Sequence, residues 1–314
     1  MREGRVVALA GGVGGARFLS GLIRVVPPRQ VTVIVNTGDD RDFFGLRVCP
    51  DLDIVTYTLA GVVRQETGWG IEEDTTACLS ALHRFRSDTW FQLGDRDLAT
   101  HIHRTERLRE GAPLSQVTAE IVRGFGLELQ LLPMTDDPAP TRVVRADGQV
   151  TDFEEYLVRD GAPDDVVAVD LSAARSARPA PGVLEALDEA RTVLVCPSNP
   201  IVSVGTIRAI PAIEARLRAR RRAVAVSPII GGAPVKGPAD RLLRAEGVEV
   251  SALGVASLYR EIARGMVIDR VDADLAPRVE ALGLRVRIED TLMRSPEVAA
   301  QVAQAALELA EMER

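Results

Sequence analysis

The chain has 314 residues, 46% hydrophobic and 26% charged, so it is long enough for one large domain or two modest ones around a sizeable core. Its net charge of −7 argues against nucleic-acid binding, which needs a basic face. The three cysteines, Cys49, Cys78 and Cys196, have neither the CxxC nor the Cys/His spacing of a zinc site, and their odd number argues against a disulfide framework.

Short apolar runs alternate with helical patterns along the chain. The first two predicted strands, 5–10 and 31–35, flank a stretch in which apolar residues such as Phe18 and Leu22 share one helical face. Further strands are predicted at 90–93, 166–170, 192–196, 223–227 and 266–269. This alternation predicts an α/β fold, with a mostly parallel sheet covered by helices on both faces. We find no signal-peptide pattern and no membrane-spanning run, and expect a cytoplasmic protein without membrane contact.

The middle of the chain has a different pattern. Residues 61–130 are mainly helical in spacing, most clearly at 70–85 and 112–126. Two alternating segments, Arg142–Arg145 and Gln149–Phe153, flank an Asp-Gly turn and predict a hairpin. We therefore predict a core of residues 1–60 and 161–314, and an inserted, mainly helical lobe of residues 61–160 that includes the hairpin.

Five aspartates follow the second predicted strand, namely Asp39, Asp40, Asp42, Asp51 and Asp53. Loops at that edge of an open α/β sheet are where ligands bind, and clustered carboxylates attract a hard cation. We interpret Asp39, Asp40, Asp51 and Asp53, in some subset, as a magnesium site. Two alternatives remain: Asp39 binds ribose hydroxyls, as in dinucleotide-binding folds, or the segment is a solvated acidic loop.

A glycine-rich turn joins the first strand to its helix. Gly12, Gly14 and Gly15 allow a ligand close to the backbone, and Arg17 in the first helical turns is a candidate phosphate partner. The spacing does not match GxGxxG, and no lysine follows as in a Walker loop. The alternative is a tight turn that only packs the helix on the sheet.

Three more loops follow predicted strands. Residues 196–206 include Ser198 and Asn199, and residues 227–238 include Gly231, Gly232 and Lys236, the only lysine. Small polar groups after buried strands suit a nucleotide pocket, although structural turns remain the alternative. The third loop, residues 93–103, is a further candidate ligand loop. The structural alternative is that a buried ion pair, Asp95–Arg96 or Asp97–Arg104, holds this loop in place.

These motifs together resemble a known family. The segments GGVGGARFLSGL, VNTGDD, CPDLDIVTYTLAG, LGDRDLATHIHRTERLREGAPLSQVT, LLPMTDDPAPT, CPSNPIVSVGTI and VSPIIGGAPVKGPA resemble the 2-phospho-L-lactate transferase family, some of whose members are described as phosphoenolpyruvate transferases. The resemblance runs from residue 6 to about residue 295. Its most specific parts are LGDRDLATH and PSNPIVSVG.

The resemblance implies a Rossmann-like fold, a requirement for Mg²⁺ and a homodimer. It also implies an enzyme that takes a guanosine diphosphate whose outer phosphate carries lactate or enolpyruvate. The phospholactyl or phosphoenolpyruvyl group then passes to the ribityl hydroxyl of the deazaflavin Fo, and GMP is released. This reaction belongs to the biosynthesis of coenzyme F(420).

Carried over by position, the resemblance assigns roles to the motif residues. Asp53 and Gln92 would contact Fo, with Asp95 beside them, and Asp51 and Asp53 are the candidate catalytic residues. Asp39, Asp40, Asp51 and Asp53 would lie near the metal and the diphosphate. The guanosine diphosphate would be held by Gly12, Gly14, Gly15, Arg17, Ser198, Asn199, Gly231, Gly232 and Lys236.

Two competing interpretations share parts of the pattern. The family has relatives that resemble nucleotide-sugar-binding regulators of the gluconeogenesis-factor type. These relatives resemble this chain in the glycine turn and in the acidic loop after the second strand. The PDLD and LGDRDLATH segments argue against that non-enzymatic function. A nicotinamide-dependent dehydrogenase is disfavoured by the broken glycine fingerprint.

Overall fold

The protein is built around a seven-stranded sheet, and its computed structural model describes residues 4–312. The strands are β1 Val6–Ala10, β2 Val31–Val35, β3 Arg41–Phe43, β4 Leu46–Val48, β5 Gln130–Pro133, β6 Arg142–Arg145, β7 Val150–Asp152, β8 Val166–Asp170, β9 Thr192–Val195, β10 Ala223–Val226, β11 Ile229–Ile230, β12 Ala233–Pro234, β13 Ala263–Asp269 and β14 Arg285–Glu289. The helices are α1 Gly12–Val25, α2 Pro50–Leu59, α3 Ala77–Leu82, α4 Asp97–Arg109, α5 Leu114–Gly124, α6 Ser172–Ser176, α7 Val183–Glu189, α8 Val204–Ala209, α9 Pro211–Arg220, α10 Ala239–Ala245, α11 Ala252–Tyr259, α12 Ala276–Ala281 and α13 Pro296–Glu311.

The central sheet is parallel throughout. Its order is β14-β13-β10-β9-β1-β2-β5, and every neighbouring pair runs in the same direction. From β1 the chain adds strands on one side and then returns to add β9 on the other, which is the doubly wound Rossmann order. The predicted α/β, Rossmann-like fold is therefore confirmed. The order also creates a crevice between the carboxyl ends of β1 and β9.

Both faces of the sheet are buried under separate hydrophobic layers. Along β1, Val7 and Leu9 belong to one layer, whereas Val6, Ala8 and Ala10 belong to the other. Because side chains alternate between the two faces, a strand covered on both sides must be apolar throughout. This explains why β1, β2, β9 and β10 have no charged residue.

Helix α13 packs tightly against α1. A Cβ atom placed on Gly21 of α1 would lie 2.2 Å from the carbonyl carbon of Ala299 in α13, so the two backbones are in direct contact. Ser295 begins α13 by accepting a hydrogen bond from Val298 N at 3.4 Å. No helix within residues 4–312 is long and apolar enough to cross a membrane.

The predicted strands at 5–10, 31–35, 192–196, 223–227 and 266–269 are confirmed in the central sheet. The strand predicted at 90–93 is wrong. Its apolar residues pack beside the β3–β4 hairpin instead, where Phe91 stacks on Phe43 at 3.8 Å and Trp90 meets it edge-on. The two edge strands, β5 and β14, are not among the predicted strands.

The strand predicted at 166–170 forms, but it lies in a separate antiparallel sheet of order β7-β6-β8. The predicted hairpin is confirmed as β6 and β7 of that sheet. Of the helical stretches, 112–126 forms α5, whereas only α3 forms within 70–85. Strand β5 pairs with β2, although it lies within 61–160. The division into a core and an inserted lobe stays a prediction.

A shallow cavity of about 500 Å³ lies far from the crevice and is lined by Arg218, Arg221, Arg260, Glu261 and Leu282. Arg221 and Arg260 lie two and three residues before β10 and β13, so this cavity is at the amino end of the sheet. Ligands of open α/β sheets bind at the opposite edge.

Candidate active site

The glycine turn occupies the crevice between β1 and β9. A Cβ atom on Gly14 would lie 2.4 Å from the carbonyl oxygen of Pro197, and one on Gly15 would lie 2.5 Å from Ser198 Oγ. Gly12 has a φ of +62°, a backbone conformation that residues other than glycine rarely adopt. The glycines therefore bring the start of α1 directly against the loop after β9.

Ser198 and Asn199 hold these two loops together. The Ser198 hydroxyl accepts from Gly11 N at 3.0 Å and donates to Gly11 O at 2.7 Å. Asn199 Oδ1 accepts from the backbone N–H groups of Ile201 and Val202 at 3.0 and 3.2 Å. Both side chains thus stabilise the walls of the crevice. Their assignment to donor binding stays a prediction.

Asn36 joins two buried aspartates at the end of β2. Its amide nitrogen donates to Asp39 Oδ2 at 3.1 Å and to Asp51 Oδ2 at 2.9 Å. Asp51 Oδ1 accepts from Gly12 N at 2.7 Å, which links the acidic cluster to the glycine turn. Asp39 Oδ1 is buried without a hydrogen-bond partner among the described residues. Two predicted metal ligands and the predicted phosphate turn therefore meet at one place.

A third acid, Glu154, faces the same cluster from the segment after β7. Burial, and then the charge of Asp51, raise the pKa of Glu154 to about 8. Burial raises the pKa of Asp51 to about 6, and burial followed by the charges of Asp51 and Glu154 raises the pKa of Asp39 well above its usual value. Burial is the largest cause of all three shifts, so the fold gives these carboxylates too little positive charge to stabilise their ionised forms. Glu154 is not among the residues predicted for the site, because its hairpin lies far away along the chain.

The other aspartates of the segment differ in environment. Asp40 is half-buried, and the burial of its carboxyl group raises its pKa to about 8, although a hydrogen bond with Cys49 acts in the opposite direction. Asp42 is 63% exposed and pairs with Arg47 at 2.8 Å, as expected for a solvated residue. Within residues 4–312, no group of three or more His, Cys, Asp or Glu side chains is arranged to hold a metal ion.

Asp53 points into a buried ion pair. Both of its oxygens accept from Arg104, whose Nη1 lies 3.1 Å from Asp53 Oδ2 and whose Nη2 contacts Oδ1. Arg104 belongs to α4, and its side chain is only 1% exposed. Asp53 is therefore neutralised by an arginine, whereas Asp39 and Asp51 are not. Its predicted metal and acceptor roles remain untested.

The ion pair continues into a small network along α4. His101 Nδ1 lies 3.2 Å from Arg104 Nη1, and His101 Nε2 lies 3.1 Å from Asp97 Oδ1. Tyr57 donates to Asp97 Oδ1 at 2.6 Å. Although burial acts to raise the pKa of Asp97, contacts with His101 and Tyr57 lower it below its usual value. Neither ion pair of the structural alternative, Asp95–Arg96 or Asp97–Arg104, forms between these described residues.

Asp95 and Asp74 cap two neighbouring helices. Asp95 accepts from Ala77 N and Cys78 N at 3.0 and 2.9 Å, at the start of α3. Asp74 accepts from Arg96 N and Asp97 N at 2.8 and 3.1 Å, at the start of α4. Gln92 is exposed in the same loop. Asp95 thus has a clear structural role, and the assignment of Gln92 and Asp95 to Fo stays a prediction.

The loop after β10 forms a further wall. Gly231 and Gly232 make the turn between β11 and β12, and Gly231 N donates to Asp272 at 3.0 Å. Lys236 Nζ donates to the carbonyl of Thr67. Burial and then the nearby charge of Arg17 lower the pKa of Lys236. Arg17 belongs to α1, and Lys236 contacts the loop of Thr67 and Gly68, which packs on Val13 one helical turn before Arg17.

Comparison with known proteins identifies the family of the chain. Residues 6–295 match the family described as 2-phospho-L-lactate transferase CofD. The chain is 49% identical to a protein named phosphoenolpyruvate transferase from Streptomyces avermitilis, with 98% of each chain covered. It is 47% identical to one of the same name from Kitasatospora aureofaciens, with 99% of each covered. A 2-phospho-L-lactate transferase from Methanosarcina acetivorans is 39% identical over 95% of this chain and 97% of its own.

Solved structures give the same fold at low identity. A crystal structure of a UPF0052-family protein from Bacillus halodurans superposes with a TM-score of 0.63 at 16% identity and covers 98% of this chain and 99% of that chain. This likeness concerns the fold alone. Because the family match spans nearly the whole chain at high identity, the chain belongs to the CofD family of 2-phospho-L-lactate and phosphoenolpyruvate transferases, enzymes of coenzyme F(420) biosynthesis.

Proposed function

We propose that this enzyme transfers a phosphoenolpyruvyl group from a guanosine diphosphate donor to the ribityl hydroxyl of Fo and releases GMP. The observation that carries the proposal is the meeting of Asp39 and Asp51 with the Gly12 N–H in the crevice. Enolpyruvate is chosen over lactate because the relatives named phosphoenolpyruvate transferase are up to 49% identical, against 39% for the named lactate enzyme.

Asp39 and Asp51 are the residues that would hold Mg²⁺. The cation usually takes one or two protein carboxylates and completes its shell with water and substrate phosphates, so a cage of three acids is not required. The unpartnered oxygen of Asp39 and the raised pKa values of both acids support this assignment, because a nearby cation would relieve their repulsion. When bound, Mg²⁺ withdraws charge from the diphosphate and stabilises the leaving phosphate.

The side chains that face the diphosphate supply positive charge and hydrogen bonds. Arg17 belongs to the second turn of α1, and Lys236 contacts the loop that packs on Val13 in the first turn, where backbone N–H groups also favour an anion. These groups hold the donor in line with the incoming hydroxyl, which is the main requirement of phosphoryl transfer.

The transfer itself needs one bond made and one broken. The ribityl oxygen attacks the phosphorus that carries enolpyruvate, and the bond from that phosphorus to the bridging oxygen breaks. GMP leaves with the bonding electrons, and the hydroxyl proton passes to a carboxylate or to water. Asp53 orients the hydroxyl rather than taking its proton, because both of its oxygens already accept from Arg104.

Two further parts of the proposal concern the whole protein. We propose that it works as a homodimer, as the family resemblance implies, and that it is cytoplasmic. Its substrates are small molecules, in keeping with the acidic net charge of −7.

The test compares Asp51→Asn with Asp42→Asn, a control in the same segment that is exposed and paired with Arg47. The purified variants receive Fo with either the enolpyruvyl or the lactyl donor, and the products are weighed by mass spectrometry. We expect Asp51→Asn to slow transfer by about 100-fold or more, since a charge-stabilising group is lost. Asp42→Asn should keep the wild-type rate.

Three results would contradict the proposal. Equal transfer by Asp51→Asn and wild type would remove the carboxylate cluster from the reaction. Faster transfer with the lactyl donor would reverse the choice of substrate. Absence of Fo binding together with tight binding of a UDP-sugar would favour a regulator.

A further inference from the structure

Residues 64–70, here called the tryptophan loop, lie directly on the glycine turn. The backbone of Gly68 is so close to α1 that a Cβ atom would lie 2.6 Å from Val13 Cγ1. Val13 and Arg17 are one helical turn apart and share a face of α1. The tryptophan loop therefore covers the same face of α1 that presents Arg17 to the donor phosphates.

Several hydrogen bonds fix the shape of this loop. Arg64 N donates to Gly70 O at 3.1 Å, and Gly68 N donates to Arg64 O at 2.8 Å. The Thr67 hydroxyl donates to Trp69 O at 2.7 Å, while the Thr67 carbonyl accepts from Lys236. Lys236, itself a candidate phosphate ligand, thus ties the tryptophan loop to the loop after β10.

The other end of the loop reaches the predicted acceptor region. Arg64 Nη2 donates to Asp74 O at 3.1 Å, and the Asp74 carboxylate caps the start of α4. The tryptophan loop consequently bridges the glycine turn, where the donor is expected, and the LGDRD segment, where the acceptor is expected.

Trp69 is the exposed aromatic residue of this loop. Its side chain is 36% exposed, although it is large and apolar. Among residues 4–312 its ring stacks on no other aromatic ring, whereas Trp90 packs against Phe43 and Phe91. An exposed indole on a well-fixed loop is a typical binding surface, since it offers a large flat area at little entropic cost.

We propose that Trp69 stacks on a planar heterocycle of the substrates and forms a wall of the substrate site. This inference rests on the proposed function, which supplies two such rings, the guanine of the donor and the deazaflavin of Fo. The chemistry required is the same for both. Stacking on an indole would orient the ring while Lys236 and Arg17 meet the phosphates.

The experiment measures ligand binding to Trp69→Ala, Trp69→Phe and the control Phe85→Ala, an exposed aromatic residue (83%) after α3. GDP binding is followed by calorimetry in magnesium buffer, and Fo binding by the fluorescence of Fo. We expect Trp69→Ala to weaken the binding of one of the two ligands by about 10-fold, which is a usual effect of removing an aromatic side chain that stacks on a base. Trp69→Phe should restore most of the affinity, and Phe85→Ala should match wild type. The weakened ligand identifies the ring.

Pyrophosphate binding and fluorescence make the result specific. Trp69→Ala should bind pyrophosphate as wild type does, because no ring is involved. The chain has only two tryptophans, so Trp90→Phe leaves Trp69 as the sole indole, and its emission should change when the stacked ligand binds. Wild-type affinity of Trp69→Ala for both GDP and Fo would overturn the inference and leave the proposed function intact. A wild-type protein that binds neither ligand would overturn both.

Discussion

Replacement of Arg104 by methionine tests the buried ion pair most directly. Methionine has a similar length but no charge, so the main change is that the carboxylate of Asp53 loses both of its hydrogen bonds to Arg104. Asp53 and Arg104 are 7% and 1% exposed, so water cannot easily replace the lost partner. The exposed pair Arg29–Glu128, at 77% and 54%, provides a matched control in Arg29→Met.

The expected size of the effect follows from burial. Breaking a buried pair by removing one partner costs about 3–5 kcal/mol, because an uncompensated charge remains inside. Loss of an exposed pair costs about 0–1 kcal/mol. At about 2 °C per kcal/mol for a large domain, Arg104→Met should lower Tm by about 6–10 °C.

Urea unfolding followed by circular dichroism measures these differences. The double variant Arg104→Met with Asp53→Asn should be less destabilised than the sum of the two single variants, because it leaves neither charge alone. A loss below about 1 kcal/mol for Arg104→Met, equal to that of Arg29→Met, would refute the reasoning. So would strict additivity of the two single changes.

Two other predictions concern the crevice. Gly14→Ala should destabilise the protein by about 1–3 kcal/mol, since its Cβ would lie 2.4 Å from a backbone oxygen. The control Gly124→Ala should not destabilise the protein, because the added Cβ would lie in open space. Urea unfolding measures the stability of both variants. The raised pKa values of Asp51, about 6, and Glu154, about 8, mean that the folded state binds the extra protons. Without divalent cations, the free energy of unfolding should therefore fall as the pH rises from about 4 to about 8, and fall less in Glu154→Gln. Stability that is constant or rises over this range would contradict the assignment.

The sequence predicted the centre of the fold better than its edges. Strands β1, β2, β9 and β10 are apolar on both faces, and such runs are easy to identify. Strand β14 alternates arginine with apolar residues, as an edge strand does, and was missed. Residues 90–93 look like a strand because Trp90, Phe91 and Leu93 are apolar, but they form a side cluster with Phe43.

The candidate site was predictable where it follows the strands and not where it depends on distant partners. The loops after β1, β2 and β9 must converge in a parallel sheet, so Gly12, Asp39 and Ser198 were identified together. The suggested Asp97–Arg104 pair does not form, because residues seven apart on a helix are separated by about 10.5 Å along its axis. Only the tertiary fold brings Arg104 to Asp53.

The contact between Gly21 and Ala299 affects when this site is completed. Helix α1 is made early during synthesis, yet a large part of the surface against which it packs is supplied by α13, which follows much later in the sequence. Contacts between such distant parts of a sequence form slowly. We therefore expect a nascent chain on the ribosome to hold the glycine turn without its final support. The nucleotide binding that we propose should arise only after α13 has been translated.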